Sequence, residues 1–287
     1  MPAAPAITFT LDLEDDQGTY RSGGRFEVLA YRLLETLAQG GITGTVFAVG
    51  RVAECSPALL RHVVSLGHEL ACHSWDHTPL DRQGRDQFRE HTAQAKGRLE
   101  QAGGAAIRGY RAPLFSMTTH TAWAAEELLA LGFAYSSSVL PAHSPLYGMA
   151  GAPRHPFLWP CGLVEFPAPV AGAGAWGIPF LGGIYLRYLP LPLVLWRAGR
   201  EPAAHSPWTY VHPYDFDTEP SAPQPGQPAW VNWLQRFNRK HTLAKLRALL
   251  AQGAGPPLGQ IAADPTFLAR LRATNDPHPS AAVHIAR

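Results

Sequence analysis

From residue 7 to residue 137 the chain alternates between short apolar runs and amphipathic stretches, and few folds tolerate that pattern. Ile7 to Leu11 reads as a buried strand, and Phe26 to Gln39 as a helix. Phe26, Leu29, Leu33, Leu34 and Leu37 share one face of that helix, and Gly40-Gly41 stops it. Thr43 to Val49 is rich in β-branched and aromatic residues and reads as the second strand. Ser56 is expected to cap a short helix with Pro57 in its first turn and Leu59, Leu60 and Val63 inward, up to Gly67. His68–Ala71 is a third strand, Asp86 to Gln101 an amphipathic helix and Gly109–Arg111 a fourth strand. A helix near Thr121–Leu131 and a strand near Phe133–Ser137 follow. Strand–helix alternation of this kind predicts a parallel sheet with crossover helices, whose site collects at the C-terminal ends of the strands.

Beyond Ser138 the pattern turns irregular. Most of the 27 prolines lie there, so long structured loops are expected up to about Gly183, with Leu163–Phe166 the one strand among them. Trp208–Val211 reads as a last strand carrying His212 at its end. Ser221 to Pro228 reads as a linker. Thr242 is expected to cap a helix whose Leu243, Leu246, Leu249 and Leu250 close the barrel, and the tail from Thr274 is expected to be mobile.

An apolar content of 46% against 16% charged residues excludes a disordered chain, and 287 residues suit one large α/β domain. A net charge of +2 gives no reason to expect nucleic acid. Three cysteines without zinc-type spacing point to a reduced compartment. Met1–Ala6 lacks the features of a secretory signal, which gives a cytoplasmic expectation. The segment Ile184–Trp196 carries an arginine and two prolines, so it reads as a lid or core helix, with contact to a membrane surface (184-196) as the alternative.

His73 and His77 stand four apart, the spacing that puts two imidazoles on one face of a helical turn and lets them grip one metal ion. Among 13 histidines, chance alone gives roughly one such pair, so the spacing is weak by itself. The acidic cluster Asp12-Leu13-Glu14-Asp15-Asp16 at the end of the first strand strengthens it. Asp12, His73 and Arg111 all fall at strand ends. His62, His68 and His120 read as structural or exposed, and Asp16 and Asp76 as solvated.

The order of Asp12 to Asp15, His73-Ser74-Trp75-Asp76-His77, Arg111-Ala112-Pro113 and His212 resembles the polysaccharide deacetylase (NodB-homology, carbohydrate esterase family 4-like) superfamily. It is most similar to the exopolysaccharide-locus branch, whose first motif is Asp-Val-Glu-Asp. Gly109 to Ser116, Leu163-Val164-Glu165-Phe166-Pro167, Gly182-Gly183 and Val211-His212-Pro213-Tyr214 carry that likeness over about residues 7 to 261. The resemblance implies a distorted (β/α) barrel with an irregular Pro-rich insertion in its second half, a deacetylase domain over 1-261 and an extension over 262-287. It implies a metal-dependent N-deacetylase acting on an N-acetylated sugar in a polysaccharide, lipid-linked or nucleotide-linked pathway. The metal would be zinc, with cobalt, manganese or nickel as alternatives. His73, His77 and one carboxylate would hold it, Asp15 in preference to Glu14. Asp12 would be the general base, Arg111 its partner and His212 the general acid, with a backbone N–H just after Arg111 helping to hold the oxyanion. Trp75, Pro113, Leu114 and Phe115 would contact the sugar. The chain departs from the branch at Tyr135-Ser136-Ser137-Ser138, where relatives have Tyr-Asp-Ser-Ser. The competing readings are an amidohydrolase on a non-sugar amide and a catalytically silent carbohydrate-binding relative. The oligomeric state is left open.

Overall fold

The computed structural model describes residues 6–16, 18–172, 176–202, 205–219 and 237–274. The linker expected at 221–228 and the tail after Thr274 lie outside the described residues. The strands are β1 (Ile7–Leu13), β2 (Gly44–Ala48), β3 (Glu69–Cys72), β4 (Gly109–Tyr110), β5 (Tyr135–Ser136), β6 (Phe157–Leu158), β7 (Val164–Glu165), β8 (Val170–Ala171), β9 (Ile178–Pro179) and β10 (Ala254–Gly255). Eight of them form one curled half-barrel sheet in the order β10-β1-β2-β3-β4-β5-β7-β6, and β8 and β9 make a separate hairpin. From β10 through β7 every pairing is parallel; only β6 runs antiparallel to its neighbour.

Alternation along β1 explains how one strand serves two layers. Ile7, Phe9, Leu11 and Leu13 are buried in the main core against the helices, whereas Thr8, Thr10 and Asp12 face the other way. On that inner side Phe47, Ala71, Tyr135, Phe166, Trp208 and Tyr210 form a second, aromatic-rich core. The helix Arg25–Gln39 buries the five apolar residues its periodicity predicts. Pro57–Ser65 is helical as expected, but Ser56 makes no side-chain cap; its hydroxyl donates to the Glu27 carboxylate instead. Thr242 is likewise the first residue of its helix, not its cap. Helix Pro265–Thr274 packs back on the barrel through Phe267, whose ring stacks on Phe166 at 5.6 Å.

Register brings the strand ends together. Asp12 pairs with Phe47 and Leu13 with Ala48; the His73 N–H donates to the Ala48 carbonyl (2.8 Å) and the Arg111 N–H to Cys72 (2.9 Å). Trp208 and Val211 bridge to Thr8 and Leu11 on the opposite side of β1, where the Asp12 N–H donates to the Val211 carbonyl (2.8 Å). Asp12, His73, Arg111 and His212 therefore sit around one end of the barrel.

Candidate active site

Arg111 is fully buried, its guanidinium lying between the rings of Phe47 (3.9 Å) and Trp208 (4.2 Å). Its Nη1 donates to Asp12 Oδ1 (2.5 Å) and Thr10 Oγ1 (2.9 Å). Nε and Nη2 donate to the carbonyl (3.3 Å) and hydroxyl (3.0 Å) of Ser137. With every edge of the guanidinium held, the Asp12 carboxylate is fixed from behind. Removing one partner of such a buried pair typically costs about 3–5 kcal/mol.

Beside Asp12, one carboxylate oxygen of Glu14 and one ring nitrogen each of His73 and His77 lie within 4.8 Å of one another. Glu14 Oε2 is 2.7 Å from His77 Nε2 and 3.8 Å from His73 Nε2. His73 Nδ1 is 2.9 Å from the Arg111 carbonyl. A carbonyl can only accept, so Nδ1 carries the proton and Nε2 turns its lone pair toward Glu14, as a metal-binding imidazole requires. Burial drives His73 down to about 4, partly offset by the Asp12 charge. Burial alone would raise Glu14, but its bond to His77 and the charges of His212, His77 and His73 hold it at about 2. One anionic oxygen and two imidazole nitrogens fit a zinc-type ion with a coordination position left for water.

Two expectations about this cluster are corrected. Residues 73–77 form a loop, not a helical turn: Ser74 and His77 have φ of 64° and 65°, and Ser74 Oγ accepts the His77 N–H (2.9 Å). The carboxylate in the cluster is Glu14, not Asp15. Asp15 Oδ2 instead accepts the N–H groups of Thr19 and Tyr20 and the Thr19 hydroxyl, closing the loop after β1. Glu14 keeps the inward side shared by Thr10 and Asp12, and the chain turns only after it.

His212 faces the cluster from the other side, its Nε2 at 3.8 Å from Asp12 and 3.7 Å from Glu14. Asp215 Oδ2 accepts the His212 backbone N–H (2.9 Å) and lies 3.1 Å from its Nδ1, which leaves Nε2 facing the cluster. The imidazole also stacks on Tyr214 at 4.7 Å. Burial opposes its charge, but Asp215, Glu14 and Asp12 together raise it to about 9. Asp215 was not anticipated. Its signal was a capping-box spacing, His212-Pro213-Tyr214-Asp215, in which the fourth residue reaches back to the first.

Glu14, His77 and His212 line a cleft of about 920 Å³, walled by Tyr20, Leu146, Ile184, Tyr210 and Tyr214. The expected sugar contacts are mostly elsewhere. Trp75 packs on the main core, against Gly50. Pro113 is buried, and Phe115 meets Tyr210 edge-on at 5.1 Å; Leu114 alone of the three is exposed. The Ala112 N–H, expected to help hold an oxyanion, donates to Ser138 Oγ (2.8 Å).

A polysaccharide deacetylase family model matches residues 13–132, the span that carries Glu14, His73, His77 and Arg111. Residues 13–132 form a polysaccharide deacetylase domain. A second family model, for a domain of unknown function, covers residues 137–254, which carry Glu165, Gly182-Gly183, His212 and Asp215. The chain is 30% identical over 111 residues to a chitooligosaccharide deacetylase of Sinorhizobium fredii, a match covering 38% of this chain and 47% of that protein. It thus spans about half the length of the curated relative it matches. Among solved structures, a Mycobacterium smegmatis protein assigned to the polysaccharide deacetylases superposes with a TM-score of 0.62 at 20% identity, over 95% of this chain and 92% of that one. A Pseudomonas aeruginosa protein with the same assignment gives 0.59 at 17% identity, over 93% and 92%. These likenesses support the deacetylase barrel fold.

Proposed function

We propose that this deacetylase hydrolyses the acetamido group of an N-acetylated sugar with the help of a divalent metal, zinc first, held by Glu14, His73 and His77. The observation that carries the reading is the bracketing of that ligand cluster by two proton-handling pairs, Asp12–Arg111 on one side and His212–Asp215 on the other. A bound metal supplies Lewis-acid polarisation and an acidified water. Asp12, held in position by Arg111, takes the proton from the attacking water. The C–N bond then breaks as His212 Nε2 delivers a proton to the departing nitrogen, so that acetate and a free amino sugar leave. Asp215 accepts the Nδ1–H and so orients the ring with its Nε2–H toward the departing nitrogen.

The substrate is proposed to be a precursor glycan of a polysaccharide, carried on a lipid or a nucleotide. A silent sugar-binding relative is the reading Ser136 invites; the complete Asp12–Arg111 and His212–Asp215 pairs speak against it. The test is acetate release from a chitooligosaccharide by purified protein, before and after chelation and with zinc restored. No acetate under any of these conditions, with zinc bound, would leave sugar binding as the better account.

A further inference from the structure

The helix Leu191–Ala198 has an outer face that the reaction does not use. Only Val194 and Ala198 of this helix are buried, one turn apart on the inner stripe. Leu193 is 47% exposed and Trp196 53%, and Pro192 beside them is exposed too. A helix apolar on both faces does not belong in water alone. At its C-terminal end the Arg200 guanidinium lies over the Trp196 ring at 4.1 Å. An indole beside an exposed cation is the composition of a surface at headgroup level, with the ring in the acyl boundary and the charge toward phosphate.

The preceding helix, Gly183–Tyr188, links this face to the cleft. Ile184 is 44% exposed and, with Gly183 and Arg187, lines the cleft. No helix among the described residues is long and apolar enough to cross a membrane. We propose that the outer face of Leu191–Ala198 docks on an anionic phospholipid leaflet and sets the cleft mouth at the lipid surface. A glycan tethered to a lipid would then reach Glu14 and His212 without leaving the membrane; that consequence rests on the deacetylase reading, whereas the docking does not.

The test is co-sedimentation of the full chain with vesicles of equal parts phosphatidylglycerol and phosphatidylcholine, against pure phosphatidylcholine. The expected result is binding to the anionic vesicles that is more than about tenfold stronger and weakens with salt. Leu193→Glu with Trp196→Glu should abolish it while leaving the Tm and acetate release from a soluble chitooligosaccharide unchanged. Arg200→Glu alone should weaken it. The proposal falls if wild type binds neither vesicle, or if the double variant binds as wild type does. It falls equally if the double substitution turns a dimer into a monomer by light scattering, because the face is then an interface between copies. Loss of acetate release in wild type with vesicle binding intact would strike the deacetylase reading alone.

Discussion

A single methyl group at Gly183 tests whether Asp215 orients His212. A Cβ built there would lie 1.8 Å from Asp215 Oδ2 and 2.3 Å from its Cγ. Unstrained carbon–oxygen contact needs roughly 3.2–3.5 Å, so the carboxylate must retreat by about 1.5 Å. The displaced oxygen is the one that accepts the His212 N–H at 2.9 Å and faces Nδ1 at 3.1 Å. Misplacing a catalytic group by about 1 Å can cost on the order of a hundredfold, equivalent to about 3 kcal/mol of barrier. Gly183→Ala is therefore expected to lower kcat for acetate release by about that factor, with little change in KM and an unchanged zinc content. Asp215→Asn, which removes the charge without adding bulk, should lower kcat in the same direction and guards against a folding artefact in the alanine variant. Wild-type kcat in both variants, with metal content and Tm preserved, would refute the coupling of Asp215 to His212.

The ligand set predicts that His73→Ala, His77→Ala and Glu14→Gln each lose stoichiometric zinc by elemental analysis, whereas Asp15→Asn keeps it; the reverse order for the two carboxylates would return the ligand role to Asp15. Asp12→Asn should retain zinc yet lower kcat by about a hundred- to ten-thousand-fold, and His212→Ala should hurt an activated leaving group less than the natural amide; equal damage to both substrates would exclude an acid role for His212. Away from the site, burial holds His68 at about 4, so the unfolded chain binds the extra proton as pH falls through about 6.5. Its contribution is complete above that pH and is lost on acidification, by roughly 2 kcal/mol between pH 7 and 5; urea midpoints of wild type and His68→Gln should show the slope shrinking in the variant.

Local periodicity made the barrel legible. Apolar residues of β1 alternate with Thr8, Thr10 and Asp12, and that alternation already puts Asp12 and Glu14 on one side. The expectation of Asp15 places the turn one residue earlier than the structure does, where Glu14 still faces His73 and His77. What decides it is that Asp15 bonds the Thr19 and Tyr20 amides, a contact set by the following loop and not by the strand. The histidine pair is legible from its spacing together with the acidic cluster after β1, although the loop does not share the helical geometry that the spacing suggests. Trp75 looked like a sugar platform because aromatic side chains serve either core or cleft; only packing on Gly50 separates the two.

Ser136, where the resemblance leads one to expect an aspartate, belongs to a hydrogen-bonded network of its own. Read locally, a missing aspartate suggests an acid left untuned. In the folded chain the Ser136 hydroxyl donates to Ser138 Oγ, which in turn accepts the Ala112 N–H. Glu165 accepts the Ser138 and Val139 amides and the Trp159 indole, so this buried carboxylate meets three donors. That network shapes the turn whose Ser137 grips Arg111, and so it serves the Asp12 side of the site. The His212 side draws its carboxylate from three residues further on, within the same 3-10 turn. Gly183 packs against that carboxylate and Gly182 against the Tyr210 ring, with no room for a side chain at either, which accounts for the glycine pair at 182–183. The Asp12–Arg111 and His212–Asp215 pairs are thus positioned by separate local networks, one on the Ser136–Ser138 turn and one on the His212–Asp215 turn.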